Sequence, residues 1–411
     1  MRGRTLSAAV VGLMLALGHP CSARETASSS ASLSTPRPEV TQWLRLHPEA
    51  AAALERLSQG ARQRFLRGLM VRDGAVVGFD PSELSAELDA QDSQAFLASF
   101  GLQEYAGMIH SHHNQPGALR RIARGSQPSE LEGRFDAFVA AVSEHPRGES
   151  DSAFGERVGA AFDRLFPEAR SGEMLAALDD HDLWLVFRAA DDAAGIGPTE
   201  ARANVLERVF AVLHAHGLAM DQDHVDVQQR LVAARLYARA RAFTVAHPEA
   251  GLATIPKVLD DVGSTASVPT LLRQEGTAWR REGIDLRKPQ VLVLSGCHNA
   301  EVAARDIAAD PILGPAFARH ARWLALPPGE EDFEQVAEWN RSHAPQRMEM
   351  VYDRAEWTLF DRWLMPTFIV LRDGHEIERF SGWPPEEASE RKARLIAALR
   401  RAGLLEGNAG R

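Results

Sequence analysis

Between about residue 40 and residue 262, apolar positions recur at three- and four-residue steps and are punctuated by Pro and Gly. This is the pattern of amphipathic helices, each burying one stripe. The spacing predicts helices over 47–70, 80–99, 129–144, 152–166, 172–194, 198–216 and 225–246. In the last, Val227, Leu231, Ala234, Ala238, Ala242 and Val245 share a face, while Arg230, Arg235, Arg239 and Arg241 lie elsewhere on the wheel. Pro198, Thr199 and Glu200 follow Gly195-Ile196-Gly197 as a helix-start signal. His-Pro-Glu-Ala occurs at His47 and again at His247, with no fixed period that would mark a repeat.

The period changes after Lys288. Gln290 to Leu294 is a short β-branched and leucine run, and 323–326 and 348–352 are two more, with helical segments between them. A strand over 367–371 meets another over 375–380 across Arg372-Asp373-Gly374, where Asp-Gly supplies the positive φ of a tight hairpin. A closing helix follows from Pro385 to about Ala402. The order predicts an α/β domain with parallel and antiparallel strands covered by helices, preceded by a larger all-α domain. The divisions are 39–262 for the helical domain and 263–407 for the sheet domain.

The first 38 residues fit neither pattern. Arg2 and Arg4 precede an apolar run from Ala8 to Leu17, and Cys21-Ser22-Ala23 offers small residues before a cut after Ala23, so 1–23 reads as an export signal. Acylation of Cys21 as a lipoprotein is the alternative, with His19 and Pro20 a poor context for it. Residues 24–38 form a Ser, Thr and Pro leader without core-forming side chains. The apolar run is too short for a transmembrane helix, and the location implied is periplasmic or secreted. The chain carries a formal charge of −10, and without its first 23 residues, which hold two arginines and no acid, −12. That balance disfavours a nucleic-acid partner. With Cys21 removed or blocked, Cys297 is left alone where paired thiols ordinarily oxidise, so no internal disulfide is available.

Leu364-Met365-Pro366-Thr367-Phe368, the Asp-Gly hairpin and Ser381-Gly382-Trp383 together resemble the second half of thioredoxins, and the resemblance covers roughly 290–405. It implies a thioredoxin-like fold in which Pro366 follows a cis bond, faces the reactive cysteine and, with Met365, presents backbone groups to an extended substrate chain. It also implies that Leu294-Ser295-Gly296-Cys297-His298-Asn299-Ala300 is the reactive junction, with Cys297 as nucleophile and Ala300 where the second cysteine stands in the family. A helix N-terminus there favours a thiolate over a thiol, and His298 adds to this when protonated. The chain departs from the family in three ways. Ala300 cannot resolve a mixed disulfide, Val291 to Leu294 carries no carboxylate for a proton relay, and Gly296 replaces a common tryptophan. Trp357, Trp363 and Trp383 are candidates for the missing apolar surface, or for core.

These residues imply monothiol chemistry: a thiol-disulfide oxidoreductase that joins partner thiols or disulfides through Cys297. An unpaired exported cysteine also permits a disulfide-linked dimer. The alternatives are a redox-inactive binding, scaffolding or chaperone-like protein with Cys297 packed structurally, and a metal-delivery protein. His110, His112 and His113 cluster, and His214, His216 and His224 follow later, but the spacing is loose and Asn114-Gln115-Pro116-Gly117 reads as a loop. No metal site and no cofactor are expected.

Overall fold

A computed structural model describes residues 37–405 apart from 110–114, 116, 123–126, 145, 147, 264–267, 344 and 361–362. The segment expected to be an export signal, Cys21, most of the expected leader and His110, His112 and His113 lie outside the described residues.

The chain opens with α1 (Pro38–Leu46), α2 (Pro48–Ala53) and α3 (Gln59–Gly68), then a hairpin of β1 (Met70–Arg72) and β2 (Ala75–Gly78), then α4 (Ser82–Glu87) and α5 (Ala90–Ser99). Val40, Trp43, Leu54, Phe65, Leu69, Leu84, Phe96 and Phe100 form their shared core. The hairpin corrects the all-α expectation for this region. Asp73 and Gly74, at φ 52° and 78°, make a two-residue turn that stops the helix predicted to reach residue 70. Two predicted helices also divide where a short polar side chain captures a backbone amide. Ser58 accepts from Ala61 N–H at 3.4 Å and opens α3, and Asp89 accepts from Asp92 N–H at 2.7 Å and opens α5.

A second helical group follows: α6 (Glu130–Ser143), α7 (Asp151–Leu165), α8 (Gly172–Ala176), α9 (Asp180–Ile196), α10 (Glu200–Ala215), α11 (Asp221–Ala233) and α12 (Tyr237–Ala246). Helix α9 buries ten of its residues, and α6, α7, α10 and α11 pack around it. Thr199 caps α10 through Arg202 N–H, as the start signal predicts, and Asp179 splits the helix predicted over 172–194 by capping α9. The helix predicted over 225–246 breaks at Arg235, whose φ is 64°. There the guanidinium reaches into the next domain, donating to Tyr352 O at 3.2 Å and pairing with Asp353 at 2.9 Å.

The C-terminal half is built on an eight-stranded mixed sheet in the order β10-β9-β6-β7-β8-β4-β5-β3. Its strands are β3 (Lys257–Asp260), β4 (Thr270–Glu275), β5 (Ala278–Gly283), β6 (Gln290–Leu294), β7 (Ala321–Ala325), β8 (Met348–Val351), β9 (Thr367–Arg372) and β10 (His375–Ser381). The helices are α13 (His298–Ala308), α14 (Leu313–His320), α15 (Phe333–Ser342) and α16 (Ala388–Ala402). Strands β6, β7 and β8 run parallel, β9 pairs antiparallel with β6, and β10 pairs antiparallel with β9 at the sheet edge. Three strands were not anticipated. β4 and β5 form an antiparallel hairpin against β8, and β3 pairs with β5, so the sheet begins before the boundary expected at 263. β4 and β5 bury Leu271, Leu272 and Trp279 but carry their charged side chains in pairs across strands. Arg273 bonds Glu349 at 2.8 Å and pairs with Glu282 at 3.1 Å, and Arg322 meets the other oxygen of Glu349 at 2.8 Å.

The two helical groups meet through a buried ionic cluster. Arg64, 4% exposed at its side chain, pairs with Glu83 and Glu132 at 3.0 Å each and with Asp136 at 3.3 Å, and Arg188 bonds Glu83 at 2.9 Å. Burial works to raise the Glu83 carboxyl, but Arg188 and Arg64 outweigh it and hold it at about 2. Arg64→Ala removes the cation shared by Glu83, Glu132 and Asp136 from a buried site and is expected to lower unfolding free energy by about 3–5 kcal/mol, read as a fall in the urea midpoint at unchanged slope. Because its folded pKa is depressed, Glu83 contributes stability above its unfolded value near 4.5 and loses it as pH falls toward about 2. Glu83→Gln is therefore expected to flatten the stability profile across that window.

Candidate functional site

Strand β6 leads the chain to the site. Beyond Leu294 the backbone stays tied to the neighbouring strand, since Ser295 N–H donates to Leu324 O at 2.7 Å. Gly296 then turns at φ 142°, and Cys297 takes an extended conformation as the residue capping α13. Its carbonyl accepts from Ala300 N–H at 2.9 Å and Glu301 N–H at 3.3 Å. The thiol is free and half-buried at the end of a helix where unpaired amides converge.

The other predicted site residues separate around it. Ala300 is fully buried in the first turn of α13. His298 leaves its side chain 80% exposed, with Nδ1 3.7 Å from Glu301, so it faces solvent and a carboxylate. Met365 is half-buried and joined to Pro366 by a cis bond, and Pro366 O accepts from Gly382 N–H at 2.8 Å. A Cβ on Gly296 would lie 3.2 Å from Met365 Sδ and 3.0 Å from Glu331 Oε2, so the missing side chain is what admits both groups. Trp357 and Trp383 are core, the latter donating to Asp306 Oδ2 at 3.0 Å, while Trp363 is half-buried beside Phe360 and Leu364 is exposed.

Glu331 is the site residue that sequence reasoning missed. It sits between β7 and α15, immediately before the α15 cap Asp332, and is half-buried. Cys297 and Glu331 thus come from loops at the C-terminal ends of two adjacent parallel strands, where open α/β sheets commonly bind their ligands. Burial pushes the Glu331 carboxyl up to about 7, and neighbouring Asp332 and Glu330 push the same way, against a hydrogen bond from Asp332 N–H. Strand β6 carries no carboxylate, and the one beside Gly296 comes from the loop after the neighbouring strand β7. The available signal was the turn Pro327-Pro328-Gly329 followed by three acids directly after an apolar strand.

The helical region clamps this loop. Gly329, at φ 97°, lies so close to α11 that a Cβ would come within 2.6–2.9 Å of Ala233 atoms. Glu330 pairs with Arg354, which also reaches Asp151 of α7 at 3.4 Å and stacks over Trp363 at 4.8 Å. A separate basic groove, lined in part by Arg273, Lys288, Arg319 and Arg322, lies at the opposite ends of β6 and β7 and does not include the thiol.

Of the histidines, His216 turns to Asp180 at 3.7 Å. His214 and His224 converge instead with His247 and Glu249 on the helical region, all four offering donor atoms within 4.8 Å of one another. His47, in the first copy of His-Pro-Glu-Ala, stacks on Trp43 at 4.0 Å and bonds Trp43 O through Nδ1 at 2.8 Å. No helix among the described residues is long and apolar enough to cross a membrane. No family model, no curated protein and no solved structure matches this chain.

Proposed function

We propose that the C-terminal domain is thioredoxin-like and that the protein is an exported monothiol redox protein. Its Cys297 thiolate attacks a partner disulfide, one partner sulfur bonds to Cys297, and the other leaves as a thiolate. A second protein thiol or a small thiol then attacks the mixed disulfide and releases Cys297. The observation that carries the reading is the free, half-buried thiol at the start of α13, with Gly296 beside it bare enough for Met365 and Glu331 to close in. The strand order β10-β9-β6-β7, with β6 and β7 parallel and β9 and β10 antiparallel, supports the thioredoxin-like assignment, as does the cis bond before Pro366. Ala300, buried where a resolving thiol would stand, makes the chemistry monothiol. The same residue favours a second reading, in which the fold is kept as a binding surface around exposed Leu364 and Cys297 does no exchange.

Iodoacetamide labelling separates the two. Exchange chemistry predicts that Cys297 in the native protein is alkylated at least as fast as a free cysteine, and that Cys297→Ser abolishes trapping of disulfide-linked partners on denaturing gels. Labelling that begins only after denaturation sinks the redox reading. Ala300→Cys is expected to convert the site to a dithiol that closes on mild oxidation, losing two hydrogens by mass spectrometry and releasing trapped partners without added thiol.

Glu331 is read as a positioning residue whose charge faces the backbone before the thiol. Above pH 7 its carboxylate opposes a neighbouring thiolate, and below pH 7 it is increasingly neutral. Glu331→Gln is therefore expected to speed Cys297 alkylation several-fold at pH 8 and to leave it nearly unchanged at pH 6. A purely structural role predicts the same change at both pH values.

A further inference from the structure

The strongest cluster of metal-binding side chains lies far along the chain from Cys297, on the helical region. His214 is in the last turn of α10, His224 is in the first turns of α11, His247 closes α12, and Glu249 sits in the short 3-10 turn Pro248–Ala250 that follows. Three separate helix ends thus deliver three imidazoles and one carboxylate to one point. The rings are close together: His224 lies 4.9 Å from His247 and 5.7 Å from His214 between centroids, and His214 lies 5.3 Å from His247.

We propose that His214, His224, His247 and Glu249 bind one structural zinc ion that ties the ends of α10, α11 and α12 together. His224 is the decisive observation. It is 5% exposed, and its Nδ1 is engaged by Met220 O at 2.8 Å, which fixes that nitrogen as the donor and leaves Nε2 with a lone pair. Nε2 is itself buried and has no hydrogen-bond partner among the described residues, and the nearest acidic oxygen, Glu249 Oε1, is 4.0 Å away. A buried acceptor without a donor is costly, whereas a metal at that position satisfies it. A carbonyl on the far nitrogen of a ligating histidine is the usual support for such a ring, holding tautomer and orientation together.

The remaining geometry is consistent with the same ion. His247 Nδ1 lies 3.3 Å from Glu249 Oε1. A tetrahedral zinc with bonds of about 2.0–2.1 Å separates its donors by about 3.3 Å, so that pair already has the spacing, and turning the exposed His214 and Glu249 side chains closes the rest. Phe210 and Phe243 pack on the rings and keep one side of the site apolar: Phe210 lies 4.9 Å from His224, and Phe243 lies 4.5 Å from His247. The donor set narrows the metal class to borderline divalent transition ions, among which zinc takes a closed tetrahedral shell. Three imidazoles with one carboxylate suit zinc; the set lacks the thiolates or thioethers wanted by copper(I) and the all-oxygen shell wanted by calcium or magnesium. Four protein ligands also close a tetrahedral shell, which makes the role structural rather than catalytic.

The test uses the full chain carrying Cys21→Ser and Cys297→Ser, so that no thiol contributes, stripped with a chelator and titrated with zinc chloride against a chromophoric competitor. The expected result is one zinc per chain and a zinc-dependent rise in melting temperature. His214→Ala and Glu249→Gln, both at exposed positions and with the fold checked by circular dichroism, are expected to weaken binding at least tenfold and to remove the thermal shift. Failure of the parent to bind zinc overturns the proposal. So does binding that persists undiminished when His214→Ala and His247→Ala are combined, because the ion would then be held elsewhere.

Discussion

The two-sided burial of strand β6 is the constraint from which the C-terminal half follows. Val291 and Val293 pack into the large core shared with Ile307, Phe317, Trp383 and Leu395, while Leu292 and Leu294 pack on the opposite face with Trp357, Phe360 and Ile369. All four are fully buried. Burying each such side chain is worth about 1.5–3 kcal/mol, so this one short strand supplies a sum comparable with the whole net stability of a typical domain, about 5–15 kcal/mol. A strand apolar on both faces has to lie inside a sheet, with strands at both edges and cover above and below. The chain can then leave β6 only at its C-terminal end, which sets where Ser295, Gly296 and Cys297 emerge.

What surrounds the thiol comes from elsewhere in the chain. Met365 arrives on the turn into β9, and Glu331 arrives on the loop after β7, so three separate segments meet because β9, β6 and β7 are neighbours in the sheet. The helical region holds the Glu331 loop by steric fit at Gly329 and by the ion pairs of Arg354. Arg235 adds a second tie at the break between α11 and α12, through Tyr352 and Asp353. The tie continues in the core, where Tyr237 of α12 packs on Phe333 of α15, which in turn packs on Trp279 of β5. The helical region is therefore part of the architecture of the site, and its own two groups are held in register by the buried Arg64 cluster.

Much of this was legible locally. The helices α6, α7 and α10 follow their apolar period and their caps closely, the Asp373-Gly374 turn forms between β9 and β10, and Cys297 stands at a strand-to-helix junction as its neighbours imply. In each, the controlling contacts lie within a few residues of one another, so the amino-acid order alone carries the information. The break at Arg235 is different. Its helical stripe continues unbroken from Val227 to Val245, yet a positive φ wins because the arginine gains partners more than a hundred residues away. Strands β4 and β5 leave little local signal because their polar side chains are satisfied across strands, and β3 leaves little because one short strand at a sheet edge has a weak apolar pattern.

The same division runs through the chemistry. The sequence by itself determined that a single thiol would sit at a helix start without a cysteine three residues on, because both facts depend only on residues 294–300. Only the tertiary structure decided that Glu331 lies beside Gly296, and that His247 and Glu249 join His214 and His224 while His216 turns away. Proximity between distant segments is set by strand order and helix packing, and neither is written in the spacing of the residues that are brought together.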